Sequence, residues 1–184
     1  MKKVFIDCGY NKGEVSKEFY QKLGDSFEYI AFEANPYLYE EYKDKNSFVK
    51  LENKAVWVED SVIDMYVVVV DKYNKKNPFT GASTLMKEKS KWNMKSHKKE
   101  EITKVQAFDF SKFILDNFDQ NDEIIIKLDV EGAEYCILEK MIKTGSSSYI
   151  NKLYVEFHDE KTGLSQKKIV EELKKQKVEL YRWR

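Results

Sequence analysis

Apolar positions along the chain follow two alternating periods. Val4 to Cys8, Phe27 to Phe32, Phe48 to Leu51 and Ile124 to Leu128 are short β-branched or aromatic runs, the pattern of strands buried on both faces of a parallel sheet. Helical spacing takes over between them. Val15, Phe19 and Leu23 form a stripe over Glu14 to Leu23 that Gly24 ends, and Ala133, Ile137, Leu138, Met141 and Ile142 form another with Gly145 at the C-cap. Asn35-Pro36 predicts an N-cap followed by proline at the first helical position. A helix is expected from Ser111 to Phe118, and another after Ser165 with Ile169, Val170 and Leu173 on its apolar face. Further strands are expected at Ala55 to Val58, Val62 to Val70, Ile102 to Ala107, Leu153 to Phe157 and Val178 to Trp183. Such alternation predicts one α/β domain over residues 1–184, with a mostly parallel central sheet and helices on both faces.

The periodicity lapses from Asp71 to Glu101, a stretch rich in Lys, Asn and Ser that carries Gly81-Ala-Ser-Thr-Leu85. Loops of that length are uncommon unless functional or disordered. The stretch reads as an inserted lid or substrate-facing loop with a short helix near Leu85 to Trp92; a solvated surface loop is the competing reading.

Composition narrows the function classes. Lys and Arg number 32 and Asp and Glu number 32, so no net charge favours nucleic acid or an anionic membrane as partner. The two cysteines, Cys8 and Cys136, form no metal-ligand or redox pattern and are expected as buried free thiols of a reducing compartment. The first residues are too short an apolar run for a signal peptide, and no run approaches a membrane span, so the expected setting is soluble and cytoplasmic.

The stretch around which the rest is organised is Ile124 to Lys140, where a buried strand turns into a helix across Asp129, Glu131 and Glu134. The carboxyl end of a central strand is where open α/β sheets place their ligands. The first strand shows a related layout: Asp7-x-Gly9-x-x-x-Gly13 leads into a helix, and Glu33 follows the second strand about 20 residues later. The glycines would let backbone approach a nucleoside ligand, and Glu33 could accept both ribose hydroxyls. A dinucleotide fingerprint needs a glycine where Asn11 stands, and an acid ahead of the glycines would repel phosphate. Asp7 suits a ligand with a cationic end, as in S-adenosylmethionine.

Taken in order, VFIDCGYNKGEVS, FEANP, NKAV, GASTL, KLDVEGAE and LYVEFH resemble the FkbM-type S-adenosylmethionine-dependent methyltransferases from Val4 to His158. The resemblance implies a class I methyltransferase fold, a Rossmann-like three-layer sandwich, and O-methylation of a hydroxyl on a sugar, glycan or glycosylated small molecule. Cys8, Tyr10 and Lys12 depart from the small or apolar residues more usual there, and the C-terminal run after Leu173 is short for two closing strands. Asn11, Asn35 and Ala55 lie in the same motifs and join Asp7, Gly9, Gly13 and Glu33 as candidate cofactor-binding residues.

Methyl transfer to a neutral hydroxyl benefits from a group that carries away its proton. Asp129 is the first candidate, with Glu156 and His158 at the end of the neighbouring strand. These residues suit either a base and its orienter or Mg²⁺ held by Asp129 and Glu156; Glu131 and Glu134 read more simply as favourable charge in a helix's first turn. Asn35-Pro36-Tyr37 reads as capping rather than as an amino-methyltransferase motif, and Lys127 as a strand lysine rather than half of an RNA-methylating pair. A non-catalytic adenosyl- or sugar-binding module, or a nicotinamide-dependent oxidoreductase, would be the alternatives.

Overall fold

The structure, a computed structural model, describes residues 1–69, 83–87, 99–158 and 165–183. Its strands are β1 (Lys3–Cys8), β2 (Glu28–Phe32), β3 (Val49–Glu52), β4 (Ala55–Trp57), β5 (Ser61–Val69), β6 (Lys99–Asp109), β7 (Glu123–Leu128), β8 (Lys152–Val155) and β9 (Glu179–Arg182). Its helices are α1 (Glu14–Leu23), α2 (Pro36–Tyr42), α3 (Phe110–Asn117), α4 (Glu134–Thr144) and α5 (Gln166–Lys175). The central sheet has six strands in the order β3-β2-β1-β7-β8-β9, and every pairing in it is parallel. This is the doubly wound Rossmann-like order, whose winding reverses between β1 and β7, and the crevice outside that point is the expected ligand site.

Alternation along the strands decides which side chains meet which layer. Val4, Ile6 and Cys8 of β1 and Ile124, Ile126 and Leu128 of β7 point into the larger core, shared with Ile114 of α3, Ile137, Leu138 and Met141 of α4, and Ile169 and Leu173 of α5. Phe5 and Ile125 point the other way, against Phe19 of α1. Phe5 and Phe19 stack there at 4.2 Å between ring centroids. Each fully buried Leu, Ile or Phe contributes about 1.5 to 3 kcal/mol relative to exposure. Asp7 and Lys127 are register partners on that second face, so charge enters the sheet where apolar packing prevails.

Three of the expected strands leave the central sheet. β4, β6 and β5 form a second sheet in that order; β4 runs parallel to β6, while β5 and β6 are antiparallel from Ser61 opposite Ala107 to Val69 opposite Lys99. The core resumes at Lys99 rather than Ile102, so the Lys-rich stretch joins the two strands of an antiparallel ribbon. The helix expected over Leu85 to Trp92 and most of that stretch, and Asp159, lie outside the described residues. At the far edge the C-terminal run supplies a single closing strand, β9, parallel to β8. Ser165 stands at the N-cap of α5 without a side-chain capping bond, and Cys136 is only partly buried, unlike Cys8, whose thiol is pushed up by burial. Among the described residues, no helix is long and apolar enough to cross a membrane.

Candidate functional site

One cavity opens at the carboxyl ends of β1, β2 and β7, and its walls include Gly9, Asn11, Glu33, Ala55, Lys127, Asp129 and Glu131. The turn after β1 forms its floor. Gly9 N–H and Tyr10 N–H both donate to Phe32 O at 3.0 Å, and Asp129 N–H donates to Cys8 O at 3.1 Å, which ties the tips of three strands together. Gly9 has a φ of +87°, and a Cβ there would lie 2.0 Å from the carbonyl oxygen of Asp129. Glycine is therefore required by the close approach of the β7 tip. Gly13 is constrained by the Tyr10 ring, whose hydroxyl would lie 2.3 Å from an added Cβ. Gly13 is not among the residues lining the cavity and packs against Tyr10 behind the turn. Tyr10, unusual in its motif, is fastened by Asn46 Nδ2, which donates to its hydroxyl at 2.7 Å.

Glu33 is 6 % exposed and anchored before any ligand arrives. Its Oε2 accepts from Asn11 N–H at 2.7 Å and its Oε1 from Asn35 N–H at 2.8 Å. Burial pushes the carboxyl above its ordinary range, against the lowering effect of those two N–H groups and of Lys127. Asn11 adopts φ 53°, a left-handed conformation that Asn tolerates better than most residues. Asn35 caps α2, accepting from Tyr37 N–H at 3.0 Å, and is fully buried rather than lining the cavity. Ala55 lines it.

Asp7 is placed differently from the expectation that it faces a cationic ligand. It has no exposed surface and does not line the cavity. Ser16 of α1 donates to its Oδ2 at 2.6 Å, and Lys127 Nζ lies 3.3 Å from Oδ1 in an ion pair poorly aligned for hydrogen bonding. Lys127, which the sequence reading set aside, is the centre of this region. Its ammonium donates to Gly9 O at 2.7 Å and lies 3.4 Å from Asp129 Oδ2. Burial alone would lower its pKa, but Asp7 and Asp129 outweigh that and hold it above the ordinary lysine value. Its signal in the sequence was a charge inside an otherwise apolar strand, in register with an acid.

At the other end, the KLDVEGAE turn folds over itself. Glu131 sits at φ 58° and Gly132 at φ 110°, and the buried carboxylate of Glu134 accepts from Val130 N–H at 2.8 Å and from Gly132 N–H at 3.0 Å. His158 Nδ1 lies 3.0 Å from Glu134 Oε1. Its Nε2 faces Glu156 at 3.4 Å, Glu131 at 3.6 Å and Asp129 at 3.9 Å. The expected trio of Asp129, Glu156 and His158 thus converges, with Glu131 and Glu134 added; the sequence had assigned both to helix-end charge. Ser83 and Leu85 line the cavity, and Thr84 links β5 to this turn by donating from Oγ1 to Glu131 O at 2.6 Å.

The expectation of Mg²⁺ held by Asp129 and Glu156 fits this geometry poorly. Among the described residues the atoms within 4.8 Å of one another come from Asp129, Glu134 and His158. Both oxygens of Glu134 already accept backbone N–H groups, and its Oε1 is occupied by His158.

The structure is thus an α/β protein with a Rossmann-like sheet, an anchored acid after β2 and an acid–imidazole cluster at the tips of β7 and β8. The chain belongs to the methyltransferase FkbM domain family, matching it over residues 7–180. Methyltransferase FkbM from Methylobacillus flagellatus is structurally similar at a TM-score of 0.47 and 14% identity, over 84% of this chain and 32% of that one. No curated protein matches.

Proposed function

We propose that the chain transfers the methyl group of S-adenosylmethionine to a hydroxyl of a sugar or glycan. The observation that carries this reading is that Glu33 and Asp129 line one cavity from opposite sides of the β1 turn. Each oxygen of Glu33 accepts one N–H from the protein and retains capacity for a second donor, so the ribose hydroxyls can be received without rearrangement. Gly9 and Asn11 bring backbone to the cavity, while Asp7 and Gly13 act from behind the turn. The methyl donor supplies an electrophilic carbon when bound. Asp129, at the β7 tip, accepts the proton that the hydroxyl loses, and Glu156 and His158 complete the charged wall behind it.

Product analysis with labelled methyl donor on a panel of glycans, small phenols, RNA and protein tests the reading. Methyl incorporation into glycan hydroxyls is expected; incorporation only into RNA or protein would overturn it. Thermal shift should show stabilisation by S-adenosylhomocysteine and none by NAD.

A further inference from the structure

We infer that Lys12 and Glu14 hold the amino-acid end of the methyl donor, with the Lys12 ammonium against its carboxylate and the Glu14 carboxylate against its ammonium. The inference rests on the reading of the cavity as a site for S-adenosylmethionine. That ligand has a zwitterionic end besides its nucleoside. Asp7, the acid expected to face a cationic group, has no exposed surface, does not line the cavity and is engaged by Ser16 and Lys127. The carbonyl oxygens of the turn are also engaged: Gly9 O accepts from Lys127 Nζ at 2.7 Å, Tyr10 O from Gly13 N–H at 2.9 Å and Gly13 O from Lys17 N–H at 3.1 Å. Another acid has to receive the ligand's ammonium.

Lys12 and Glu14 flank Gly13, and both line the cavity together with Asn11 and Val15. Both are exposed, and among the described residues neither makes a hydrogen bond or an ion pair. The other charged groups of the wall are committed. Lys54 pairs with Glu52 at 2.9 Å, and Lys127 is held by Asp7, Asp129 and Gly9 O. Glu33 accepts from two backbone N–H groups, Asp129 lies beside Lys127, and Glu131 lies 3.6 Å from His158. What remains is one cation and one anion, two residues apart on one wall, which complement a ligand end that carries one charge of each sign. Lys12 stands where a small or apolar residue is more usual in this motif, so the pairing is particular to this chain.

Calorimetry with three ligands assigns each charge. S-adenosylhomocysteine carries both charges, decarboxylated S-adenosylmethionine lacks the carboxylate, and 5′-methylthioadenosine lacks the whole amino-acid arm. Lys12→Ala should weaken S-adenosylhomocysteine about fivefold without weakening decarboxylated S-adenosylmethionine, whereas Glu14→Gln should weaken both by a similar factor; the size is modest because exposed charges are screened by solvent. Neither variant should change the affinity for 5′-methylthioadenosine, and both effects should shrink at high salt. Because neither side chain has a partner among the described residues, both variants should keep the fold. Equal losses for all three ligands, or a loss of decarboxylated S-adenosylmethionine with Lys12→Ala, would overturn the inference. If S-adenosylhomocysteine binds and neither variant changes its affinity, the inference alone fails. If none of the three binds the unmodified protein, the cavity is no site for an adenosyl ligand and the functional reading fails with it.

Discussion

The two ends of the cavity hold carboxylates under opposite regimes. Glu33 sits among backbone N–H donors and a distant ammonium, so its oxygens are fixed in place before a ligand arrives. Asp129, Glu131 and Glu156 crowd one imidazole face, with Lys127 Nζ 3.4 Å from Asp129 Oδ2. The first environment is suited to recognition, since preorganised acceptors cost little to use. The second stabilises added positive charge, which is what proton acceptance requires. Perturbations of one end should therefore appear in affinity, and those of the other in turnover.

The largest expected effect lies at Lys127, which bridges buried Asp7 and Asp129 beneath the β1 turn. Lys127→Met keeps the length of the side chain but leaves Asp7 buried without its counter-ion, and should cost about 3 to 5 kcal/mol in denaturant titration. Adding Asp7→Asn to it should restore much of that loss, because two apolar or neutral groups replace a broken pair. No recovery would mean that Lys127 acts mainly through Gly9 O.

Turnover and affinity are separated by the next two. Asp129→Asn should lower kcat about 100-fold while leaving cofactor affinity nearly intact, the signature of a group used only as the reaction proceeds. Loss of cofactor affinity instead would merge the two ends into one binding site. Glu33→Ala should weaken S-adenosylhomocysteine binding by about 1.5 to 3 kcal/mol in calorimetry, as for lost hydrogen bonds to a charged acceptor. Its pH behaviour follows from burial: the folded-state pKa is raised, so Glu33's contribution to stability is fully present below the ordinary carboxylate value and is lost as pH rises through the raised one. Ligand affinity should run the other way, falling as the carboxylate is protonated over the same window, and Glu33→Gln should flatten both dependences.

Much of this was legible in sequence because strand and helix periods are local. The β1 and β7 runs, the Asn35 cap and the Gly145 C-cap all follow from neighbours a few residues away. The second sheet was not legible: β4, β5 and β6 have ordinary strand patterns, and nothing within them states that β4 pairs with β6 rather than with β3. The same limit hid the roles of Lys127 and Glu134. Their sequence surroundings are a strand interior and a helix's first turn, whereas their partners Asp7 and His158 come from 120 and 24 residues away. Gly13 illustrates the converse, since its motif suggested a ligand and its actual constraint is the ring of Tyr10.

The smallest expected effect tests whether the ribbon that carries Thr84 belongs to the catalytic end. Thr84 is 1 % exposed; its backbone pairs with Tyr66 of β5 at 2.8 and 3.0 Å, and its hydroxyl holds Glu131 O at 2.6 Å while accepting from Met86 N–H at 3.0 Å. Glu131 is in a left-handed conformation that costs a non-glycine residue about 1 to 2 kcal/mol, so this contact helps to hold a strained turn beside Asp129. Thr84→Val is nearly isosteric and removes only the hydroxyl, which should cost about 1 kcal/mol of stability. If the turn sets the position of Asp129, kcat should fall a few-fold while Glu33-dependent binding is unchanged. An unaltered kcat with the same loss of stability would confine Thr84 to joining the two sheets.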